Sequence, residues 1–232
     1  MATSSTTSPW LLAAGGLAGA VAAVLVTMRQ RQQEHGAPGG HRHTDVVAAA
    51  YTETAIGSAS CCVTAPSSKE AREAMGYSDA DRALGEASGA DLGLGCGNPV
   101  SLANVQPGET VLDLGCGAGF DCLLAAQRGA GLSIGVDMVP QMLERARAAA
   151  RRVGLTGSTS FRLGELEHLP CADASVDCIV SNCVLNLAAS QGPVCAEAFR
   201  VLRPGGRLAV SDVVRTVPEL PSRLRSAQAL AC

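Results

Sequence analysis

Val111-Leu112-Asp113-Leu114-Gly115-Cys116-Gly117-Ala118-Gly119 decides the fold of this 232-residue chain. Thr110 to Leu114 is a short apolar run that stops at a glycine, which predicts a buried strand, and Ala118 to Arg128 has helical spacing. The pattern then repeats. Strands are predicted at Leu132 to Val136, Thr159 to Leu163, Val176 to Ser181 and Arg207 to Val214. Helices are predicted at Gln141 to Val153, where Glu144 and Arg147 lie one turn apart, and at Val194 to Leu202, closed by Arg203-Pro204-Gly205-Gly206. Strands alternating with helices at this spacing require a parallel sheet with right-handed crossovers, hence a doubly wound α/β domain of five predicted strands. No internal repeat is present.

Glycines between a first strand and a first helix let the backbone turn sharply and approach a ligand beyond the carboxyl ends of the strands. The dinucleotide fingerprint G-x-G-x-x-G needs glycine at position 120, which is Phe120, so this G-x-G-x-G loop does not build a pyrophosphate site. Asp137 ends the second strand, 22 residues after Gly115, close to the separation at which an acid meets ribose hydroxyls. The plainer alternative is that Asp137 caps the helix starting near Pro140. Gly164-Glu165 follows the third strand, either bordering a base or forming a surface turn.

Composition narrows the classes. With 47% apolar residues the chain is not disordered, and its 26 glycines lack a collagen period. Six aromatics leave the core to Val, Leu, Ile and Ala. Eighteen basic against 21 acidic residues, a net charge of -3, make no basic footprint for nucleic acid. None of the ten cysteines has CxxC spacing, so a zinc ribbon or thioredoxin-type pair is unsupported.

Residues 1–28 carry no charge, and Trp10 to Met28 is apolar, about 28 Å as a helix, which reaches across a hydrocarbon core. Arg29, Arg31 and Arg42 against Glu34 leave the downstream chain facing the cytoplasm. The expectation is an N-terminal apolar helix acting as a membrane anchor through Trp10 to Met28, with a targeting segment removed on import as the alternative. Residues 29–44 read as a solvated linker; His35, His41 and His43 are too irregular for a metal site. Residues 45–108 form a helical and loop region, with helices at Asp45 to Ala55 and at Ser67 to Met75, the latter opened by a Ser67/Glu70 capping box. Residues 109–216 are the ligand-binding domain and 217–232 a tail.

Asp113 to Gly119, Asp137, and Arg200-Val201-Leu202-Arg203-Pro204-Gly205-Gly206 together resemble the class I S-adenosylmethionine-dependent methyltransferases. The resemblance implies a Rossmann-like core and S-adenosyl-L-methionine as cofactor. It implies Gly115 and Gly117 against the methionine moiety, Asp113 orienting that loop, Asp137 on the ribose, and Met138 and Glu165 near the base. Cys116, Gly164 and Asn182 complete the implied cofactor set.

The acceptor is read from the thiols. Ser181-Asn182-Cys183-Val184-Leu185-Asn186-Leu187 follows the fourth strand on the catalytic rim, and Leu94-Gly95-Cys96-Gly97-Asn98-Pro99 lies just before the core. Adjacent Cys61-Cys62 is a third candidate. Thiolates are soft ligands and suit a thiophilic metalloid. With Cys61-Cys62, Gly95-Cys96-Gly97, Asp113 to Asp121 as DLGCGAGFD, Gly135-Val136-Asp137-Met138 and Val180 to Leu187 as VSNCVLNL, the chain resembles the arsenite methyltransferases over residues 58–232. That resemblance implies As(III) held by Cys96 and Cys183, disulfide chemistry at Cys61 or Cys62, and re-reduction by glutathione or thioredoxin. A further arsenic ligand is implied after Ser211-Asp212-Val213 and Leu220-Pro221, at or just beyond Cys232, with the family's later strands missing, as in a fragment. A monomer is expected. The rivals are a methyltransferase of a small organic or lipid acceptor, which has no need of both Cys96 and Cys183, and a non-catalytic As(III)- or cofactor-binding module. Cys116, Cys122, Cys178 and Cys195 read as packing residues, His168 as solvated, and Cys171 is open.

Overall fold

The computed structural model describes residues 43–57 and 69–214. Five parallel strands, β1 (Thr110–Leu114), β2 (Leu132–Asp137), β3 (Thr159–Leu163), β4 (Val176–Asn182) and β5 (Leu202–Ser211), lie in the order β3-β2-β1-β4-β5. The order reverses between β1 and β4. A crevice therefore opens beyond the carboxyl ends of these two strands. Register brings those ends level, with Leu114 opposite Val136 and Ser181, and Asp137 opposite Leu163.

Strand alternation builds a core on each face. Val111 and Val180 point to one side, onto Leu123 and Leu124 of α5 (Phe120–Gln127) and Leu143 of α6 (Pro140–Arg152). Leu112, Leu114 and Ile179 point to the other, onto Ala198 and Val201 of α7 (Gln191–Val201). The β3 to β4 crossover has no helix, and Leu169 and Cys171 from its loop cover the sheet instead.

Ahead of the sheet lie α1 (His43–Ala55), α2 (Lys69–Ala74), α3 (Asp79–Ser88) and α4 (Pro99–Ala103). Helix α1 starts at His43, so the predicted linker boundary at 44 falls inside it. Helix α3 was hidden in the sequence reading although Ser78 and Asp81 form a full capping box. Its Asp81 is buried and paired with Arg128 at 3.2 Å.

Strand β5 departs from the expected Arg207 to Val214. It begins at Leu202, opposite Val176, and the next pair is Cys178 with Arg207, so Arg203 to Gly206 bulge out of the ladder rather than close the helix. Arg203 is held there by Asp177 at 2.5 Å. The predicted Glu144–Arg147 pair is likewise replaced: Arg147 donates to the Phe161 carbonyl at 2.7 Å. Among the described residues no helix is long and apolar enough to cross a membrane. The apolar segment 1–28, most of the linker, the Ser67 cap and the tail 217–232 lie outside the described residues.

Candidate functional site

Four strand ends contribute to one crevice: the glycine loop after β1, Asp137 to Val139 after β2, Gly164 and Glu165 after β3, and Asn182 to Val184 after β4. Val47 and Tyr51 of α1 and Leu92 and Leu94 of the following loops line it as well. The region before the core is thus part of the site.

Asp137 holds this crevice in shape. Its Oδ2 accepts from the Gly117 amide at 2.8 Å and its Oδ1 from the Val139 amide at 2.9 Å, tying the glycine loop to the start of α6. Asp137 is not the cap of α6, whose N-cap is Val139 without a side-chain bond, and its carboxylate keeps lone pairs for a ligand after these two bonds. Burial raises its carboxyl above the ordinary range, against the opposing pull of the Val139 and Gly117 amides. Asp113 lines the same crevice. It is fully enclosed, accepts from the Cys122 thiol at 3.4 Å, and burial pushes its carboxyl well up. The hydrogen bond to the loop itself comes from Asp137, at the Gly117 amide. Gly115 adopts φ +64°, and a side chain there would run into Val184, so the loop and the end of β4 touch through a glycine.

The thiols sort cleanly by burial. Cys122 and Cys178 are sealed in the core. Cys116 lines the crevice, but burial and the charges of Asp137 and Asp113 outweigh its hydrogen bond with Cys122 and push its thiol up to about 11. Cys178 is pushed to about 11 by burial, and Cys171 is buried with its thiol raised for the same reason. Such thiols stay protonated and inert. Cys195 is only half-buried on α7, less enclosed than a packing residue. His168 is exposed as expected.

Cys96 and Cys183 come together from 87 positions apart and are joined as a disulfide, Cα to Cα 6.0 Å. The two sulfurs meet because both loops end on the same rim. Cys183 sits at φ 55°, a left-handed conformation costing a non-glycine residue about 1 kcal/mol, and its amide donates to Ser211 at 2.8 Å. Cys96 is positioned by Asn182, whose Oδ1 accepts from its amide at 3.0 Å. Asn182 Nδ2 donates to Gly97 and to Asp121, both at 2.9 Å, and also to the Tyr77 hydroxyl at 3.3 Å. The glycines flanking Cys96 are explained by this closeness. A Cβ on Gly95 would stand 2.6 Å from Asn182 Nδ2, and one on Gly97 would overlap the Ser211 hydroxyl.

Asp121, Tyr77, Asp91 and Ser211 escaped the sequence reading as site residues. Asp121 is a crevice residue whose Oδ1 is buried without a hydrogen-bond partner. Its only sequence signal was its place at the end of DLGCGAGFD. Cys61, Cys62 and Cys232 lie outside the described residues.

Acidic residues dominate the crevice, with Asp91, Asp121, Asp137 and Glu165 against Arg72, which is itself paired with Asp91 at 2.5 Å. Such a lining favours a cationic ligand with hydroxyls to donate. Residues 105–232 match the family described as a methyltransferase domain. The chain belongs to that family.

S-adenosylmethionine is the cofactor of the class I methyltransferases, and its sulfonium, amino group and ribose fit the acidic lining, the unpartnered Asp121 oxygen and Asp137. This methyltransferase domain is 56% identical over 148 residues to an arsenite methyltransferase of Halobacterium salinarum, covering 63% of the chain and 37% of that relative. It is 45% identical over 130 residues to an arsenite methyltransferase of Aquipseudomonas alcaligenes, covering 51% of the chain and 36% of that relative. A crystal structure of an arsenic(III) S-adenosylmethionine methyltransferase from Chlamydomonas reinhardtii is 39% identical, with a TM-score of 0.47, covering 56% of this chain and 46% of that one. The chain thus spans less than two fifths of the length of these two curated relatives.

Proposed function

We propose that this methyltransferase domain transfers methyl groups from S-adenosylmethionine to trivalent arsenic held by the thiolates of Cys96 and Cys183. One observation carries the reading: two cysteines far apart in sequence meet at the rim of the crevice, and one of them, Cys183, lines it. A small organic or lipid acceptor would need no such pair. The arsenite methyltransferases similar to this chain support the same substrate.

The cycle starts with reduction of the Cys96–Cys183 disulfide by two glutathione thiols, giving two protein thiols and one glutathione disulfide. Both thiols give up their protons as arsenite binds, so two of its three hydroxyls leave as water and the third stays on arsenic. Bound S-adenosylmethionine supplies an electrophilic methyl group. Around it, Asp137 accepts from ribose hydroxyls and holds Gly117, while Val47 and Tyr51 of α1 and Leu94 wall the crevice from water. Thiolate-held arsenic carries a lone pair and no proton to remove, so no side chain acts as general base. Catalysis rests on positioning and desolvation, which supply several kcal/mol. Thiol reductant, glutathione or thioredoxin, is a required partner, and a monomer suffices.

The test incubates the full chain with S-adenosylmethionine, glutathione and arsenite and follows methylated arsenic by mass spectrometry. Product is expected from the wild type and not from Cys183→Ser or Cys96→Ser. Equal turnover in either serine variant overturns the acceptor assignment.

A further inference from the structure

The thiol pair depends on a contact outside either cysteine loop. Asn182 is the bridge: one end of its amide accepts from the Cys96 amide, and the other donates to Asp121 on the first turn of α5. Rotation of that amide would break both bonds and the one to Gly97. A carboxylate and a carbonyl accept hydrogen bonds and cannot donate, so Asp121, together with the Gly97 carbonyl, sets which end of Asn182 faces them and therefore that the oxygen faces Cys96. The Tyr77 hydroxyl adds to this, since it donates to Gly97 at 2.6 Å and receives from Asn182.

We propose that Asp121 is a positioning residue for the thiol pair: through Asn182 it fixes the backbone of Cys96 opposite Cys183. Its importance to catalysis rests on the thiol acceptor proposed above, whereas the positioning itself does not. An ionised acceptor makes a stronger hydrogen bond than a neutral one. Protonation of Asp121 therefore loosens the bridge. Burial and the negative charge of Asp91 raise its carboxyl to about 6, against the opposing effects of the Asn182 bond and of Arg128. The other charges around it are Asp81 on α3, Asp113 at the end of β1 and Arg72, which is paired with Asp91. Burial and Asp121 push the Tyr77 phenol upward, so it stays a donor throughout.

The experiment contains neither arsenic nor S-adenosylmethionine, so its outcome is separate from that of the arsenite reading. The full-length chain is equilibrated with oxidised and reduced glutathione at pH 7 and pH 5, quenched, and the Cys96–Cys183 disulfide is quantified by peptide mass mapping. In the reaction a dithiol and glutathione disulfide give a protein disulfide and two glutathione thiols. Ordinary thiols are protonated on both sides at these pH values, so the constant for an unassisted pair does not change. The wild-type constant should fall about fivefold from pH 7 to pH 5, and that of Asp121→Asn should lie at the lower value at both. A wild-type constant that is level between the two pH values overturns the proposal without need of any variant. So does an Asp121→Asn constant that follows the wild-type curve.

Discussion

Asp121→Asn should make this protein more stable at neutral pH while weakening its thiol pair. Asp121 is enclosed, and its carboxyl is held at about 6 instead of the ordinary 3.8, chiefly by burial. The sign follows from where the proton sits. Between those two values the folded state keeps a proton that the unfolded state has lost, so the stability present below pH 3.8 is lost as the pH rises through 6. At pH 7.5 the ionised carboxylate costs the fold about 3 kcal/mol, and at pH 4.5 about 1 kcal/mol. Asparagine has no proton to lose, so its advantage should shrink by about 2 kcal/mol between pH 7.5 and pH 4.5. Leaving its amide beside the unpartnered Oδ1 position costs about 1–3 kcal/mol, which is the same at both pH values and lowers the whole curve without changing its slope. Urea unfolding followed by circular dichroism at the two pH values measures this slope. Parallel stability curves for wild type and variant would refute the reasoning. Curves that converge by about 2 kcal/mol make Asp121 a residue whose retention costs stability and serves the site.

Three further outcomes follow from the geometry. Asp137→Ala orphans the amides of Gly117 and Val139, so it should lose about 2–4 kcal/mol of stability in urea unfolding, and calorimetric titration should show loss of S-adenosylmethionine binding while arsenite binding to the reduced thiols persists. Gly95→Ala puts a methyl against Asn182, so it should cost about 1–3 kcal/mol and lower the Cys96–Cys183 disulfide constant; an unchanged constant would show that Asn182 can yield. Leu124→Ala, in the packed face of α5, should cost about 2–5 kcal/mol by the same unfolding measurement and leave the disulfide constant unaltered.

The strands were legible because each is written in consecutive residues: β1 and β3 were placed to the residue, and β2 and β4 within one. Strand β5 was misplaced because Arg203 to Gly206 carry a strong turn signal, yet the ladder to β4 resumes on the far side of them. Helix α3 was not placed, although Ser78 and Asp81 cap it; Asp at the third helical position is a weaker start signal than Glu or Gln. Asp113 and Asp137 carry the same side chain, each near the end of a strand beside the glycine loop. Only their surroundings separate the enclosed acid beside Cys122 from the one that holds the glycine loop.

By itself the sequence determined the parallel α/β order, the crevice at the end of β1 and β4, and the residue types able to meet a nucleoside and a soft acceptor. These are properties of local periodicity and of short loops, which a chain reveals in stretches of about ten residues. Tertiary structure alone decided which groups meet: Cys96 with Cys183 across 87 positions, Asn182 with Cys96 across 86, and Asn182 with Asp121 across 61. Those contacts exist because parallel strands with crossovers bring their carboxyl ends to one edge, so residues remote along the chain become neighbours only once the sheet has formed.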